Sequence, residues 1–290
     1  MKCLISRRAQ FSASYRYWLP ELSEAENLHR FGAESRFPGG GHNYVLSVSA
    51  LGEIDKYGMV QNFFEVKQLI QRKIIDDLNY AYLNEIWPEF QDTLPTPEYL
   101  AKVIWQRLLP ELPLAKVCLF EQPEFWVNYR GNGMEAFVNF GVYFSAAHRL
   151  ALPTLSDEEN RQIYGKCANA NGHGHNYYLE VRVVGEIDSR TGRIVELRKL
   201  RQVIEEKVIE PLDHTFLNQD IAYFSQVIPT AENIALYLCN ILQQPIRELG
   251  IELDRIELKE TANNSCQINC RTNTYQENKT TAQETALLCK

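Results

Sequence analysis

Long apolar runs are missing from this sequence: none approaches the ~20 residues that span a bilayer, so no helical membrane span is expected. The opening Met1-Lys2-Cys3-Leu4-Ile5-Ser6-Arg7-Arg8 turns polar before a signal-peptide core of about 7 apolar residues can form. A basic excess is missing too. The 30 Lys and Arg stand against 37 Asp and Glu, a net charge of −7, where a nucleic-acid binder usually shows the opposite balance. No C-x-x-C pair occurs: Cys3, Cys118, Cys167, Cys239, Cys266, Cys270 and Cys289 are odd in number and scattered. The expectation is a cytoplasmic protein with reduced thiols, no membrane contact and no nucleic-acid partner. Histidine is scarce, at six residues: His29, His42, His148, His173, His175 and His214. A content of 45% hydrophobic and 23% charged residues excludes general disorder and rod-like architectures. The 290 residues leave room for two domains.

Two domains are indeed written into the chain as a repeat. Phe11-Ser-Ala-Ser-Tyr15-Arg16 reads against Phe144-Ser-Ala-Ala-His148-Arg149, an offset of 133 (144 less 11). At that offset Gly41-His42-Asn43-Tyr44 matches Gly174-His175-Asn176-Tyr177, and Gly52-Glu-Ile-Asp55 matches Gly185-Glu-Ile-Asp188. One residue of slippage aligns Leu83-Asn84 with Leu217-Asn218, and Pro95-Thr96-x-Glu98 with Pro229-Thr230-x-Glu232. The reading is two tandem units, 1–132 and 138–271, linked through Arg130-Gly-Asn-Gly133, with a disordered polar tail over 272–290.

In the second unit, His173, His175, Tyr177, Leu179, Val181 and Val183 alternate along one face of a strand. Turn chemistry from Gly185 to Gly192 predicts a hairpin. Leu200, Val203, Ile204 and Val208 follow at helical spacing, with Pro211 beyond the helix end. A second helix starts at Thr230 as N-cap and buries Ile234, Leu238, Ile241 and Leu242. Ile256 to Glu260 alternates again as a strand. Strands, helices, then strands indicate an α+β fold with a largely antiparallel sheet.

Candidate chemistry concentrates in this unit. His173 and His175 project from one strand face, and His148 ends the preceding strand, so three imidazoles can share one metal ion with a fourth position open. An isolated His-x-His is more often surface or core histidine. Cys167 lies in the small polar loop Gly165 to Gly172, where Lys166 and a nearby cation favour thiolate; the alternative is an idle thiol. Asp213-His214 can relay a proton or be a surface pair at a helix end. Glu232 sits where a helix dipole favours any carboxylate, and Glu260 can simply be solvated. No His-Glu-x-x-His occurs to indicate a zinc hydrolase.

In order, the second unit carries Phe-Ser-Ala-Ala-His148-Arg, Gly-Lys-Cys167-x5-His173-Gly-His175-Asn-Tyr, Gly-Glu-Ile-Asp188, Asp213-His214-x-x-Leu-Asn218, Pro-Thr230-Ala-Glu232-Asn233 and Lys-Glu260-Thr261. From about Val138 to Cys270 this set closely resembles the 6-pyruvoyl-tetrahydropterin synthase family, which includes the 6-carboxytetrahydropterin synthases. The resemblance implies a tunnelling fold (T-fold): each unit has a four-stranded antiparallel sheet with two helices, and units assemble into barrels. It implies a lyase that converts 7,8-dihydroneopterin triphosphate to 6-pyruvoyltetrahydropterin with loss of triphosphate. His148, His173 and His175 would hold Zn2+, Cys167 would be the general base, and Asp213 and His214 its proton-transfer partners. Thr230, Glu232 and Glu260 would anchor the pterin ring, with Arg149 and Lys166 as candidates to meet the triphosphate. Five residues between Cys167 and His173 match the pyruvoyl-forming members; the carboxy-forming enzymes of queuosine synthesis typically have three. The alternatives are that carboxy-forming activity and a non-catalytic pterin-binding protein.

The first unit resembles the family more faintly. Tyr15 replaces His148, Gly40 replaces His173, Glu34 replaces Cys167 and Asn79-Tyr80 replaces Asp213-His214, while His42 survives. One histidine does not make a zinc site, so this unit is read as catalytically silent. Thr96, Glu98 and Glu121 nonetheless occupy the anchor positions, leaving pterin binding there open. Since the family's Asp-His pair reaches the thiol from a neighbouring unit, the expected assembly is a homo-oligomer. In it three chains form two stacked barrels, like units with like.

Overall fold

The structure, a computed structural model, describes residues 1–271; the tail expected over 272–290 lies outside the described residues. The chain divides into two compact units, Met1–Val138 with Glu186–Ile194, and Asn139–Gly185 with Val195–Arg271. In the first, β1 (Lys2–Tyr15) pairs antiparallel with β2 (Gly40–Glu53) over their whole lengths, from Lys2 opposite Glu53 to Tyr15 opposite Gly40. Then β3 (Leu114–Gln122) pairs with β2, and β4 (Phe125–Tyr129) with β3, both antiparallel. Between β1 and β2 lies α1 (Glu24–Phe31), started by a capping box of Ser23 and Glu26. Between β2 and β3 come α2 (Phe63–Ile70) and α3 (Pro97–Leu108), the latter capped by Thr96. Leu46 and Val48 of β2, and Leu100, Ile104, Leu108, Ile70 and Ile74 of the helical segments, are core residues each at most 2% exposed. Each such side chain contributes roughly 1.5–3 kcal/mol.

The second unit repeats this plan. Its sheet runs β5 (Glu135–His148), β6 (His173–Glu186), β8 (Glu252–Lys259), β9 (Ser265–Asn269). The two-residue β7 (Thr215–Phe216) lies parallel along β5. The helices are α4 (Asp157–Tyr164), α5 (Leu197–Ile204) and α6 (Ala231–Glu248). Tyr177, Leu179, Val181 and Val183 on β6 and Ile234, Leu238, Leu242, Ile204 and Val208 on the helices are all buried, the alternation and helical spacing expected of one buried face each. Equivalent bonds recur in both copies. Asn27 and Asn160 are both buried and accept from Leu19 N–H (2.8 Å) and Leu152 N–H (2.7 Å). Ser12 donates to Asn43 at 2.8 Å, and Ser145 to Asn176 at 2.9 Å.

Four expectations are corrected. Each unit has a third helix of eight residues, α1 or α4, besides the two anticipated; its polar, capped sequence offers little apolar periodicity to read. Gly185 to Gly192 does not close a hairpin. Asp188 makes a self-contained turn by accepting from Arg190 and Thr191 N–H, and the chain leaves it for α5. Pro211 lies inside the final helical turn (Glu210–Leu212), because a π turn over Glu205–Ile209 has already broken the regular ladder that proline interrupts. Finally, Cys239 and Cys270 form a disulfide, their Cα atoms 6.1 Å apart. Packing of α6 against β8 and β9 joins cysteines that no spacing pattern pairs.

Candidate metal centre and active site

His148 closes β5 on its buried face and is 1% exposed, while His173 and His175 open β6 on the same face as Tyr177. One ring nitrogen from each histidine lies within 4.8 Å of the others. His148 Nε2 is 3.2 Å from His173 Nε2. His148 Nδ1 is 2.7 Å from the Pro229 carbonyl oxygen, which orients the ring and leaves Nε2 for the shared point. Burial lowers the pKa of His148, and does the same to His175. Both therefore favour the neutral form a cation requires. His175 Nε2 is buried without a hydrogen-bond partner among the described residues. A donor set of this kind, dry and convergent, fits a metal ion.

The glycine before His173 sets the close approach. Gly172 has φ +65°, and a Cβ there would come 2.5 Å from the His148 carbonyl oxygen and 2.7 Å from the Phe216 ring. Gly172→Ala is therefore expected to push His173 off the shared point and lower metal affinity by at least about tenfold, as read by competition with a chromophoric chelator.

Cys167 lies half-buried in a 3-10 turn, Gly165–Ala168, behind α4. Leu150 N–H donates to its carbonyl oxygen at 2.9 Å. Arg149 Nε donates to Ala168 O at 3.0 Å, and its other nitrogen pairs with Asp157 at 2.8 Å. The residues following His148 thus fix the thiol loop against the histidines, and Arg149 is held in that task. Tyr177 was legible as part of the alternating face but not as a site residue. Its hydroxyl is 3.5 Å from His148 Nδ1. Burial first, then the charges of Glu260 and Cys167, raise its pKa.

Glu260, at the end of β8, is no solvated bystander: Oε1 is 3.7 Å from His148 Nε2 and 3.6 Å from His175 Nε2. Thr230 caps α6, accepting from Asn233 N–H at 3.3 Å, and Glu232 is exposed one turn in. Cys266, which sequence reasoning missed, lies beside the start of α6, its thiol donating to the Ala231 carbonyl oxygen at 3.2 Å. Burial, with the charges of Glu232 and Glu260, pushes its thiol up to about 11.

Asp213 and His214 lie elsewhere. Asp213 accepts from Ser145 N–H at 2.7 Å, and its other oxygen is 2.8 Å from His214 Nδ1. The Ser145 bond, then His214, lowers its pKa. His214 has φ +59°, a strained conformation for a non-glycine, held by its N–H donating to Ser145 O at 2.6 Å. Its side chain is 81% exposed and borders a groove of about 400 Å³ with Ser145, Ala147, Gly174 and Asn176. Those four residues alternate onto the sheet face opposite the three histidines, and the groove is also lined by Ala146 and by His175 itself. Among the described residues no hydrogen bond or ion pair joins the Asp213-His214 pair to Cys167 or the histidines.

With this geometry in place, comparison with known proteins decides the family. The 6-pyruvoyl tetrahydropterin synthase family profile matches residues 4–132 and again residues 138–271. The chain belongs to the 6-pyruvoyl tetrahydropterin synthase family. Human 6-pyruvoyl tetrahydrobiopterin synthase is 45% identical over 134 residues, 46% of this chain and 91% of that protein. A protein named as a 6-carboxy-5,6,7,8-tetrahydropterin synthase from Archaeoglobus fulgidus is 30% identical over 126 residues, 43% of this chain and 89% of that one. The solved 6-pyruvoyl tetrahydropterin synthase of Caenorhabditis elegans is 34% identical, covers 47% of this chain and 96% of its own, with a TM-score of 0.45. The chain is accordingly an enzyme, a lyase of the 6-pyruvoyl tetrahydropterin synthase type. No helix among the described residues is long and apolar enough to cross a membrane.

The first of the two family segments holds an altered copy of the centre. Tyr15 takes the place of His148 and its hydroxyl bonds Glu34 at 2.8 Å and His42 at 2.9 Å. An aromatic hydroxyl bonded to a carboxylate and to His42 thus stands where the second copy converges three imidazoles. Tyr80 repeats the positive φ of His214, at 62°. The family's backbone frame was retained here while the ligands were replaced.

Proposed function

We propose that the second unit converts 7,8-dihydroneopterin triphosphate to 6-pyruvoyltetrahydropterin and triphosphate, with zinc as its metal. The observation that carries this reading is the convergence of His148, His173 and His175 beside Glu260. Bound by the three imidazoles, zinc would act as a Lewis acid on the substrate's side-chain hydroxyls and acidify the adjacent C–H bonds. Cys167 then removes a side-chain proton as thiolate, and His214, charged or relieved through Asp213, supplies or takes one on the other side. Triphosphate departs by elimination, and the ring and side chain exchange oxidation levels internally. Glu260, with Thr230 and Glu232, receives the guanidine-like edge of the pterin through paired charge-assisted bonds. Five residues between Cys167 and His173 favour the pyruvoyl over the carboxy product. The test is triphosphate release: chelated protein is expected to be inactive and zinc to restore it. Release unaffected by chelation would defeat the reading.

The exposure of His214 supports a further part of it. Glu34 stands where the first unit would have a thiol, so the pair's thiol partner belongs to another chain. Mixing inactive Cys167→Ala and His214→Ala chains under conditions of subunit exchange is expected to restore about a quarter of the sites by random pairing. No recovery would place the pair's action within its own chain.

A further inference from the structure

The short strand β7 runs parallel to the end of β5, with Thr215 opposite Ala146 and Phe216 opposite Ala147, and then turns into the helical segment Leu217–Asp220. Past that turn the pairing is continued by a side chain. Asn218 Oδ1 accepts from Arg149 N–H at 2.8 Å, and Asn218 Nδ2 donates to Arg149 O at 2.9 Å. One carboxamide thus satisfies both main-chain groups of the residue after His148, as a neighbouring peptide would. Arg149, so held, turns its own side chain to the thiol loop, Nε donating to Ala168 O at 3.0 Å. The next residue joins it, Leu150 N–H donating to Cys167 O at 2.9 Å. Asn218 therefore heads a run of bonds that leads through Arg149 and Leu150 to Cys167.

The first unit repeats every link. Asn84 Oδ1 accepts from Arg16 N–H at 2.8 Å, and Asn84 Nδ2 donates to Arg16 O at 2.8 Å. Arg16 Nε donates to Ser35 O at 2.7 Å, and Tyr17 N–H donates to Glu34 O at 3.0 Å. Asn84 and Asn218 are both half-buried, so each clamp makes the same bonds in a similar setting. What differs is the residue at the far end, Glu34 in one copy and Cys167 in the other. Whatever the fold alone requires of this clamp, it requires in both copies; a requirement of the chemistry falls on Asn218 only.

We propose that Asn218 is a positioning residue for the thiol: it fixes the main chain of Arg149 and, through Arg149 and Leu150, the place of Cys167 relative to His148. That Cys167 is the base rests on the reading given under Proposed function. Without the carboxamide, Arg149 N–H and C=O lose their partner and the guanidinium loses the fixed root from which it reaches Ala168. A displacement of about 1 Å in a reacting group costs on the order of 10²-fold in rate, so a loosened loop registers in turnover before it registers in binding.

The tandem copy supplies the control. In the full chain, Asn218→Ala and Asn84→Ala each remove two hydrogen bonds and are expected to lower the melting temperature alike, by about a few degrees. Only Asn218→Ala is expected to lower kcat, by at least about tenfold, with KM and metal content within about twofold of native. Alkylation of Cys167 by iodoacetamide, followed by peptide mass, is expected to quicken at least about threefold in Asn218→Ala and to keep the native rate in Asn84→Ala. Asn218→Asp, which keeps the acceptor and loses the donor, is the second variant should alanine unfold the unit. Arg149→Ala is expected to share the loss of kcat and to regain much of it with ethylguanidine, because Arg149 lines a cavity of about 410 Å³ through which a guanidinium can return. Ethylammonium, without the planar fork, is expected to restore less. Equal loss of kcat in Asn84→Ala and Asn218→Ala, or loss in neither, overturns the proposal. If the native protein releases no triphosphate, the reading under Proposed function fails and the alkylation rates decide: quickening in Asn218→Ala alone upholds the positioning of the thiol, and equal rates in both variants overturn it.

Discussion

Replacing Cys167 by alanine is expected to lower turnover by about 10³-fold, the scale set by loss of a positioned general base. Metal content and pterin affinity should stay within about twofold of native, because the loop is held by main-chain and Arg149 contacts that the substitution leaves alone. Leu150 N–H bonds the carbonyl oxygen of Cys167, and Arg149 the carbonyl oxygen of Ala168. Steady-state kinetics with metal analysis on the same preparation checks both halves. Loss of metal together with activity would make Cys167 a ligand or a structural residue. Retention of turnover would remove it from the chemistry.

Replacing His173 by alanine is expected to strike metal binding itself. Three imidazoles whose nitrogens lie within 4.8 Å would hold a cation jointly, and two would leave too few protein donors for a catalytic zinc site. Metal affinity should fall by at least about 10³-fold and turnover with it. The sharper comparison lies in the first unit. His42→Ala should leave metal content unchanged, since His42 faces Tyr15 and Glu34 in place of two further imidazoles and a thiol. Metal per chain measured by emission spectroscopy should therefore read one for native and His42→Ala, and near zero for His173→Ala. An equal loss in both variants would show that the first unit also holds metal.

Much of this arrangement was legible before any coordinates, because it rests on periodicity. Alternation along β6 alone put His173, His175 and Tyr177 on one face, and the repeat at near-constant offset exposed two units of one fold. Loop features resisted for physical reasons. The Gly185–Gly192 turn reads as a hairpin because Asp188 caps it locally, but where its outgoing residues seat is decided by Leu94, Thr96 and Glu98, some 96 residues away. Glu260 reads as one more carboxylate at a strand end until the sheet sets it beside His148 and His175. The Cys239–Cys270 pair joins a helix to the residue following a strand across the core, a separation of 31. Lys166 stays exposed and Arg149 is committed to the thiol loop, so the structure shows no ready-made cradle for the triphosphate among the residues first considered.

The central claim is that the second unit eliminates triphosphate and leaves the three-carbon side chain whole. Mass analysis of the pteridine formed when zinc-loaded protein is incubated with 7,8-dihydroneopterin triphosphate tests it most directly. The account predicts 6-pyruvoyltetrahydropterin with one triphosphate released per molecule formed; 6-carboxytetrahydropterin, or substrate recovered unchanged, would contradict it.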